Sequence, residues 1–348
     1  MSSMLIFDLG LEEINNWLAA QGEPKYRGLQ VWQGLYKNCF DKPEEFSNLS
    51  KKLKGSLTAD FNFNSLDPKE TVSSKDGFTS KSLFTLSDGA KVEAVLMRYE
   101  DRHTVCISTQ SGCAMNCSFC ATGKMGFIRN LSSGEILSQV IYFERLLRKD
   151  SLSVTNVVLM GMGEPFNNYD ASIKAIYTLN DPDGFSLGIR RFTISTVGII
   201  PRIRQFADEY HQINLAVSLH AASDELRTQL VPINRFYPIK SLIDACKYYV
   251  EKTHRRITFE YALIDEVNDS YDQAKALAAL IKGLLCHVNL IALNPTPNSE
   301  YRASSKEKVR EFNQILIDKN ISSTVRLRRG IEIQAGCGQL AYQKSDML

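Results

Sequence analysis

Apolar residues fall at helical spacing three times within the first sixty positions. Leu11, Ile14 and Leu18 mark one helix over 9–20, and Val31, Trp32 and Leu35 mark a second over 26–36. A third is predicted over 44–57, with Asn48 or Ser50 as a local cap. Between 66 and 99 the pattern changes to β-like runs, 81–86 and 90–97, joined by the hairpin signal Ser87-Asp88-Gly89. From about position 100 apolar strands alternate with amphipathic helices. Strands are predicted at 104–108, 156–160, 191–195, 214–219, 258–264, 288–293 and 323–327. Helices are predicted at 132–147, 170–179, 200–209, 239–252, 271–283 and 306–319. Strands separated by helices of this length pair in parallel as βαβ units. About six units follow, short of the eight of a closed barrel, and functional loops are expected at the strand C-terminal ends. No repeats or low-complexity segments interrupt the pattern.

The chain has 348 residues, 44% of them hydrophobic and 23% charged, which is a globular composition with room for one large and one small domain. No apolar run is long enough to span a bilayer. The first ten residues hold Asp8 and no basic stretch, unlike a secretory signal. Eight cysteines in a chain this long do not make a disulfide scaffold, so a reducing, cytoplasmic compartment is expected. Net charge is only +2, so an acidic partner must be argued from local patches. One patch is the helical start, where Lys25, Arg27, Lys37, Lys51, Lys52 and Lys54 serve equally well as a solvated face or as an RNA contact.

Candidate chemistry concentrates in Cys113, Cys117 and Cys120, spaced C-x3-C-x2-C with no fourth cysteine or histidine at ligand distance. Structural zinc wants four ligands, and an ordinary four-iron cluster wants four thiolates. Three thiolates on one loop leave one iron of a cubane open to a small molecule. Core thiols are the plain alternative, but glycines flank this run on both sides. The spacing, with Phe119 between the last two cysteines, resembles the radical S-adenosylmethionine (SAM) superfamily, in which SAM chelates the open iron and is cleaved reductively. Met160-Gly161-Met162-Gly163-Glu164-Pro165 follows an apolar strand one βα unit later. Glycines there let backbone approach a ligand, and the carboxylate suits an ammonium. Cys337 lies between glycines in Ala335-Gly336-Cys337-Gly338-Gln339-Leu340, and Cys106 sits in the first barrel strand. Two such thiols outside the cluster run need a chemical explanation. Cys39, Cys246 and Cys286 match no motif and read as apolar filler.

Nearly the whole chain resembles one family within that superfamily, the rRNA adenine-C2 methyltransferases (RlmN) with their C8-methylating branch (Cfr). The matching text includes the run from Cys106 through the cysteine loop, Arg129-Asn130-Leu131, Met160 to Pro165, Ser195-Thr196-Val197-Gly198, Ser218-Leu219-His220, Val231-Pro232-Ile233-Asn234, Asn294-Pro295 and Cys337-Gly338-Gln339-Leu340. The resemblance implies an α/β fold: an open partial βα barrel over 101–340, a helical accessory module over 1–60 and a β-hairpin extension over 61–100. It implies one four-iron–four-sulfur cluster held by Cys113, Cys117 and Cys120, and two molecules of SAM per turnover. Gly163, Glu164, Ser195, Ser218, Leu219, His220 and Asn294 are the implied SAM-binding residues.

In the implied mechanism Cys337 carries the methyl group, which is joined to the ring carbon after a radical is made on it. Cys106 then assists proton loss and releases product through a transient disulfide with Cys337. Glu93 matches a proton-acceptor position of the family, so Glu93 and Cys106 both stand as candidates for the ring proton. The implied substrate is an adenosine of the peptidyl-transferase centre in 23S rRNA, with a tRNA adenosine beside the anticodon as a second candidate. Reduced ferredoxin or flavodoxin is the implied electron donor, and a monomer is expected. Arg326, Arg328 and Arg329, with Lys124, Arg129, Arg190, Arg191, Arg255 and Arg256, suit phosphate contact, some of them being solvated or ion-paired instead. Pro165 favours C2 over C8 methylation. A non-catalytic iron–sulfur RNA-binding or electron-transfer protein is the alternative of another class, but it has no need of Cys106, Cys337 and the Gly163-Glu164 loop together.

Overall fold

A computed structural model describes residues 4–64, 66–296, 299–326 and 328–341. The N-terminal module is three helices, α1 (Leu11–Ala20), α2 (Tyr26–Tyr36) and α3 (Lys51–Asp60), tied by the short parallel pair β1 (Met4–Leu5) and β2 (Phe61–Asn62). The helix predicted over 44–57 is divided. A 3-10 turn at Pro43–Glu45 stands apart from α3, which starts where Ser50 Oγ accepts the Leu53 N–H at 3.1 Å. Phe46 supplies the reason: it is fully buried, edge-on to Phe40 and Phe63, and this packing draws the chain out of a continuous helix. The module docks on the barrel through Asp8, whose carboxylate accepts the Gly134 N–H at 2.7 Å at the start of a barrel helix.

The main sheet has ten strands. An antiparallel set of β3 (Asp67–Ser73), β4 (Thr79–Thr85) and β5 (Lys91–Tyr99) leads to β6 (Arg102–Cys106). Gly89 turns the predicted hairpin with φ +84°. Strand β3 was not marked by any apolar alternation; it is an exposed edge of polar residues, defined only by its pairing with β4. After β6 come the small antiparallel pair β7 (Gln110–Gly112) and β8 (Phe127–Asn130), with α4 (Ala121–Met125) between them.

The barrel continues as α5 (Ser133–Arg148), β9 (Asn156–Leu159), α6 (Tyr169–Asn180), β10 (Phe192–Thr196), α7 (Ile200–Asp208) and β11 (Asn214–Ser218). It ends with α8 (Asp224–Leu230), α9 (Ile239–Thr253), β12 (Ile257–Leu263), α10 (Tyr271–Leu280), β13 (Cys286–Ala292), α11 (Lys306–Asp318) and β14 (Ser323–Val325). Strands β6 and β9 to β14 pair in parallel in that order. β14 and β3 are the two edges, so the barrel is open. Each predicted barrel helix is present within a few residues; α5 begins at a capping box between Ser132 and Glu135. Between sheet and helices lies the core, built on fully buried residues such as Phe192, Ile194, Val217 and Phe259. Among the described residues no helix is long and apolar enough to cross a membrane.

Candidate active site

Cys106 is the last residue of β6, level with Val95 of β5 and Val158 of β9. Two residues on, Ser108 locks the strand exit: its hydroxyl donates to Glu93 O at 2.6 Å and accepts the Met162 N–H at 2.8 Å. The Gln139 side chain completes the lock, accepting the Ser108 N–H and donating to its carbonyl. These bonds hold the β6 and β9 exits side by side. The cluster loop and the Met160–Glu164 loop therefore face each other.

One cavity between those loops is lined by Cys113, Cys117 and Cys120, and also by Gly163, Glu164, Ser195, Ser218, His220, Asn294 and Cys337. The sequence thus predicted a set that the fold gathers from the ends of six strands. Leu219 is the exception: its side chain is fully buried in the apolar core and lines no part of the cavity. Its two neighbours face the cavity instead, Ser218 from the strand end and His220 from a left-handed backbone with φ +59°.

Gly163 adopts φ +100°, and a Cβ there would lie 2.5 Å from Gln110 Cβ, so only glycine fits. Gln110 uses that closeness, accepting the Glu164 N–H at 2.8 Å. The Glu164 carboxylate accepts N–H bonds from Phe166 at 3.0 Å and Val197 at 2.9 Å. Burial outweighs these bonds and pushes its pKa up to about 7. His220 Nδ1 accepts the Ala262 N–H at 3.0 Å, which leaves the proton on Nε2. Burial, helped by the charge of Arg227, drives its pKa down to about 3, so the ring is neutral. Asn294 donates from Nδ2 to the Cys337 carbonyl at 3.2 Å. It therefore holds the thiol loop, a task the sequence did not suggest.

Cys106 and Cys337 line a second, smaller cavity together with Tyr99, Met160, Asn294 and Arg326. All eight cysteines are free thiols. Burial pushes the Cys106 thiol up to about 12, while the Arg326 guanidinium opposes that rise; Cys337 is exposed, and the same guanidinium favours its thiolate. Glu93 lies elsewhere. It lines neither cavity, pairs with Lys81 at 2.8 Å, and burial raises its carboxyl despite that partner. Arg129, expected to suit phosphate, is clamped by Asp88 and Glu135 instead.

Two residues that shape the site had no signal in the sequence. Arg227 is completely buried and donates to the carbonyls of Val197, Ser218 and Leu219 and to Asn234 Oδ1, joining three loops at the rim. Glu260 projects from β12 into the cavity of the three cysteines, with Oε1 accepting from Asn289 at 2.9 Å. An arginine on a short helix and a glutamate in a strand carry no pattern that separates them from surface charges.

Comparison with known proteins gives a consistent result. Residues 107–278 match the Radical SAM superfamily, and residues 4–62 match the ribosomal RNA large subunit methyltransferase N-terminal domain. A "Probable dual-specificity RNA methyltransferase RlmN" of Geobacillus kaustophilus is 46% identical over 335 residues, covering 96% of this chain and 92% of the relative. The chain belongs to the RlmN family. A Staphylococcus aureus protein with the same description is also 46% identical over 96% of this chain and 92% of its own length. The crystal structure of a radical SAM methyltransferase from Sphaerobacter thermophilus superposes with a TM-score of 0.95 at 48% identity, covering 97% of this chain and 99% of that one. The protein is thus a radical-SAM methyltransferase, and its open α/β barrel is the one expected of that superfamily.

The superfamily implies an iron–sulfur cluster and SAM, and the residues present fit both. Three thiols share one cavity wall, and each must give up its proton to bind iron. Among the described residues no three ligating side chains are close enough to hold a single metal ion. A cubane needs instead one thiolate at each of three separate irons. In the same cavity Glu260 Oε2 and Asn294 Oδ1 are buried acceptors without a partner among the described residues. SAM carries an ammonium, ribose hydroxyls and an adenine amino group, which are the donors such acceptors want.

Proposed function

We propose that the protein methylates C2 of an adenosine in the peptidyl-transferase centre of 23S rRNA, using two molecules of SAM per turnover and an S-methylcysteine at Cys337. A tRNA adenosine beside the anticodon is a second substrate, a reading supported by the dual specificity in the names of the relatives. The observation that carries the proposal is the position of Cys337, which lines both the cavity of the three cluster cysteines and the cavity of Cys106. One thiol that faces both can receive a methyl group on one side and present it to a base on the other.

When bound, the cluster and SAM supply the methyl group and a 5′-deoxyadenosyl radical. Cys113, Cys117 and Cys120 hold the cluster. Glu164 receives the ammonium of SAM, and Ser195, Ser218 and His220 line its seat. Asn294 sets the position of Cys337 through the loop carbonyl. The methylene carbon on the Cys337 sulfur joins to C2 of the ring. The Cys106 thiolate then takes the C2 proton, and the unpaired electron left on the ring would return to the cluster. That proton passes on to the methylene carbon as the sulfur–carbon bond breaks, giving the methyl group, while the Cys106 sulfur bonds to that of Cys337. The Met160 N–H and the charge of Arg326 favour the Cys106 thiolate against burial. Cys106 is preferred to Glu93 as the base because Glu93 is paired with Lys81 outside the cavity. Reduced ferredoxin or flavodoxin serves as electron donor, and the basic module over 1–60 assists RNA contact.

Mass spectrometry of 23S rRNA fragments from a methylase-deficient host expressing this chain tests the reading. The expected product is 2-methyladenosine; 8-methyladenosine as the dominant product would overturn the regiochemistry, and no methylated adenosine would overturn the activity.

A further inference from the structure

The opposite end of the barrel is open and polar. A closed βα barrel fills its interior with layers of branched apolar side chains. Here the inward positions near the strand starts are Thr104, Asn156, Thr193, Asn214, Thr258 and His287. They line a cavity of about 1070 Å³, at the upper end of the size range of ligand pockets, ~300–1,000 Å³.

Charge there is one-sided. Arg102, Arg190, Arg255, Arg256 and Arg326 surround the cavity, against the single carboxylate of Glu260, which is buried deep within it. Among the described residues none of the five guanidiniums forms an ion pair within 4.0 Å; Arg190 and Arg255 donate to the neutral side chains of Gln212 and Asn214. Arg326 faces Glu260; the other four guanidiniums form no ion pair with a carboxylate among the described residues, and such a group is a site for an anion, and for phosphates in particular.

An aromatic ladder stands on the rim. The Arg329 guanidinium lies 5.0 Å from the Phe78 ring centre and 4.8 Å from that of Tyr99, and the Arg102 guanidinium lies 4.4 Å from the Tyr99 ring centre. Phe78, at the tip of the β3–β4 turn, is 47% exposed. An exposed ring backed by an arginine is a stacking platform for a base. The ladder also points inward: Tyr99 lines both the large cavity and the one holding Cys106 and Cys337, as do Met160 and Arg326.

At the cluster end the chain around Cys337 is fastened to the cysteine loop, with the Ala121 N–H donating to Gly338 O at 2.8 Å and Thr122 Oγ1 to Leu340 O at 2.5 Å.

We propose that the RNA docks at the strand-N-terminal mouth, with its phosphates on Arg102, Arg190, Arg255 and Arg256 and a base flanking the target stacked on Phe78. The target base, turned out of its stack, then passes Tyr99 and Arg326 to reach Cys106 and Cys337 from below. This docking mode rests on the RNA-methylating reading of the preceding subsection. The ligand class is a single-stranded loop, since a base must be free to stack on the ladder.

The test is binding of a fluorescent transcript of the peptidyl-transferase-centre hairpin of 23S rRNA to the reconstituted full-length protein over a salt series. Phe78→Ala should weaken binding about tenfold with little change in salt slope, since stacking carries no charge. Arg255→Ala with Arg256→Ala should weaken it at least about tenfold and reduce the slope by about 1–2. Arg235→Ala, an exposed residue on the cluster side, should bind as the unsubstituted protein does. Normal binding by both mouth variants, with loss in Arg235→Ala or in none, would overturn the docking mode while leaving the RNA reading intact. Failure of the unsubstituted protein to bind the transcript would overturn both.

Discussion

Asn294 and Cys337 are joined by one hydrogen bond, from the Asn294 side-chain amide to the Cys337 carbonyl at 3.2 Å. Gly336 allows this contact, because a Cβ there would lie 2.6 Å from the same amide. Removing the amide frees the loop without touching either thiol. Asn294→Ala should therefore keep its iron content but form S-methyl-Cys337 more slowly by about tenfold, the equivalent of one ordinary hydrogen bond. Single-turnover peptide mass spectrometry reads this directly. An unchanged rate would show that the loop is held without Asn294.

The proposed role of Glu164 as the partner of the SAM ammonium would link SAM binding to pH. In the free protein its carboxyl has a pKa of about 7 because burial disfavours the charged form. An ammonium partner favours the charged form, so binding should release a proton near neutrality. SAM affinity should then rise roughly tenfold from pH 6 to pH 8 and level off above, as the carboxylate becomes fully available. Calorimetry in two buffers of different ionisation heat measures the released proton. Glu164→Gln should abolish that release; a profile that falls with rising pH would have the wrong sign for this role.

Arg227 should prove structural rather than chemical. Its guanidinium satisfies three backbone carbonyls and Asn234 Oδ1 in a fully buried site. Arg227→Met leaves those acceptors unpaired, each at about 1–3 kcal/mol, so a stability loss of about 3 kcal/mol or more is expected in urea unfolding. Arg227→Lys should rescue little, because an ammonium lacks the fork that reaches several loops. A loss under about 1 kcal/mol would mean that water or a shifted loop satisfies the carbonyls.

How much of this was legible in the sequence depended on the type of signal. Local signals carried well: the capping residue Ser50 sets the start of α3, and Gly89 turns the hairpin. The closeness of the cysteine loop and Gly163-Glu164 was legible because such cysteine and glycine runs stand out along a chain, and the fold brings them to one cavity. The long-range pairings were not. Strand β3 has no apolar face and exists only because β4 offers it hydrogen bonds. Arg227 and Glu260 look like surface charges until the fold buries them. Leu219 was carried into the SAM site by its neighbours in Ser218-Leu219-His220, whereas the backbone sends its side chain to the core.

Glu93 should matter less to chemistry than to packing. Its carboxylate holds Lys81 at 2.8 Å and lines neither cavity. Glu93→Gln should slow methylation modestly and leave no enzyme–RNA adduct behind. An adduct trapped in that variant would identify Glu93 as the group that takes the ring proton.

The two thiols outside the cluster should differ in what their loss leaves behind. Both face one small cavity, with Arg326 lowering the cost of a thiolate at each. On the proposed mechanism Cys337 is methylated before any carbon–carbon bond forms, so Cys337→Ala should keep its cluster and transfer no methyl group. On the same proposal Cys106 acts only after that bond exists. Without its thiolate neither proton loss nor sulfur–sulfur bonding can free the base, and Cys106→Ala should stall with Cys337 joined through a methylene to RNA. Denaturing gels of Cys106→Ala expressed in cells should show protein carrying nuclease-sensitive RNA, while Cys337→Ala and the double variant should show none. Equal adduct in all three, or normal turnover by Cys106→Ala, would sink this division of labour and return the ring proton to another base.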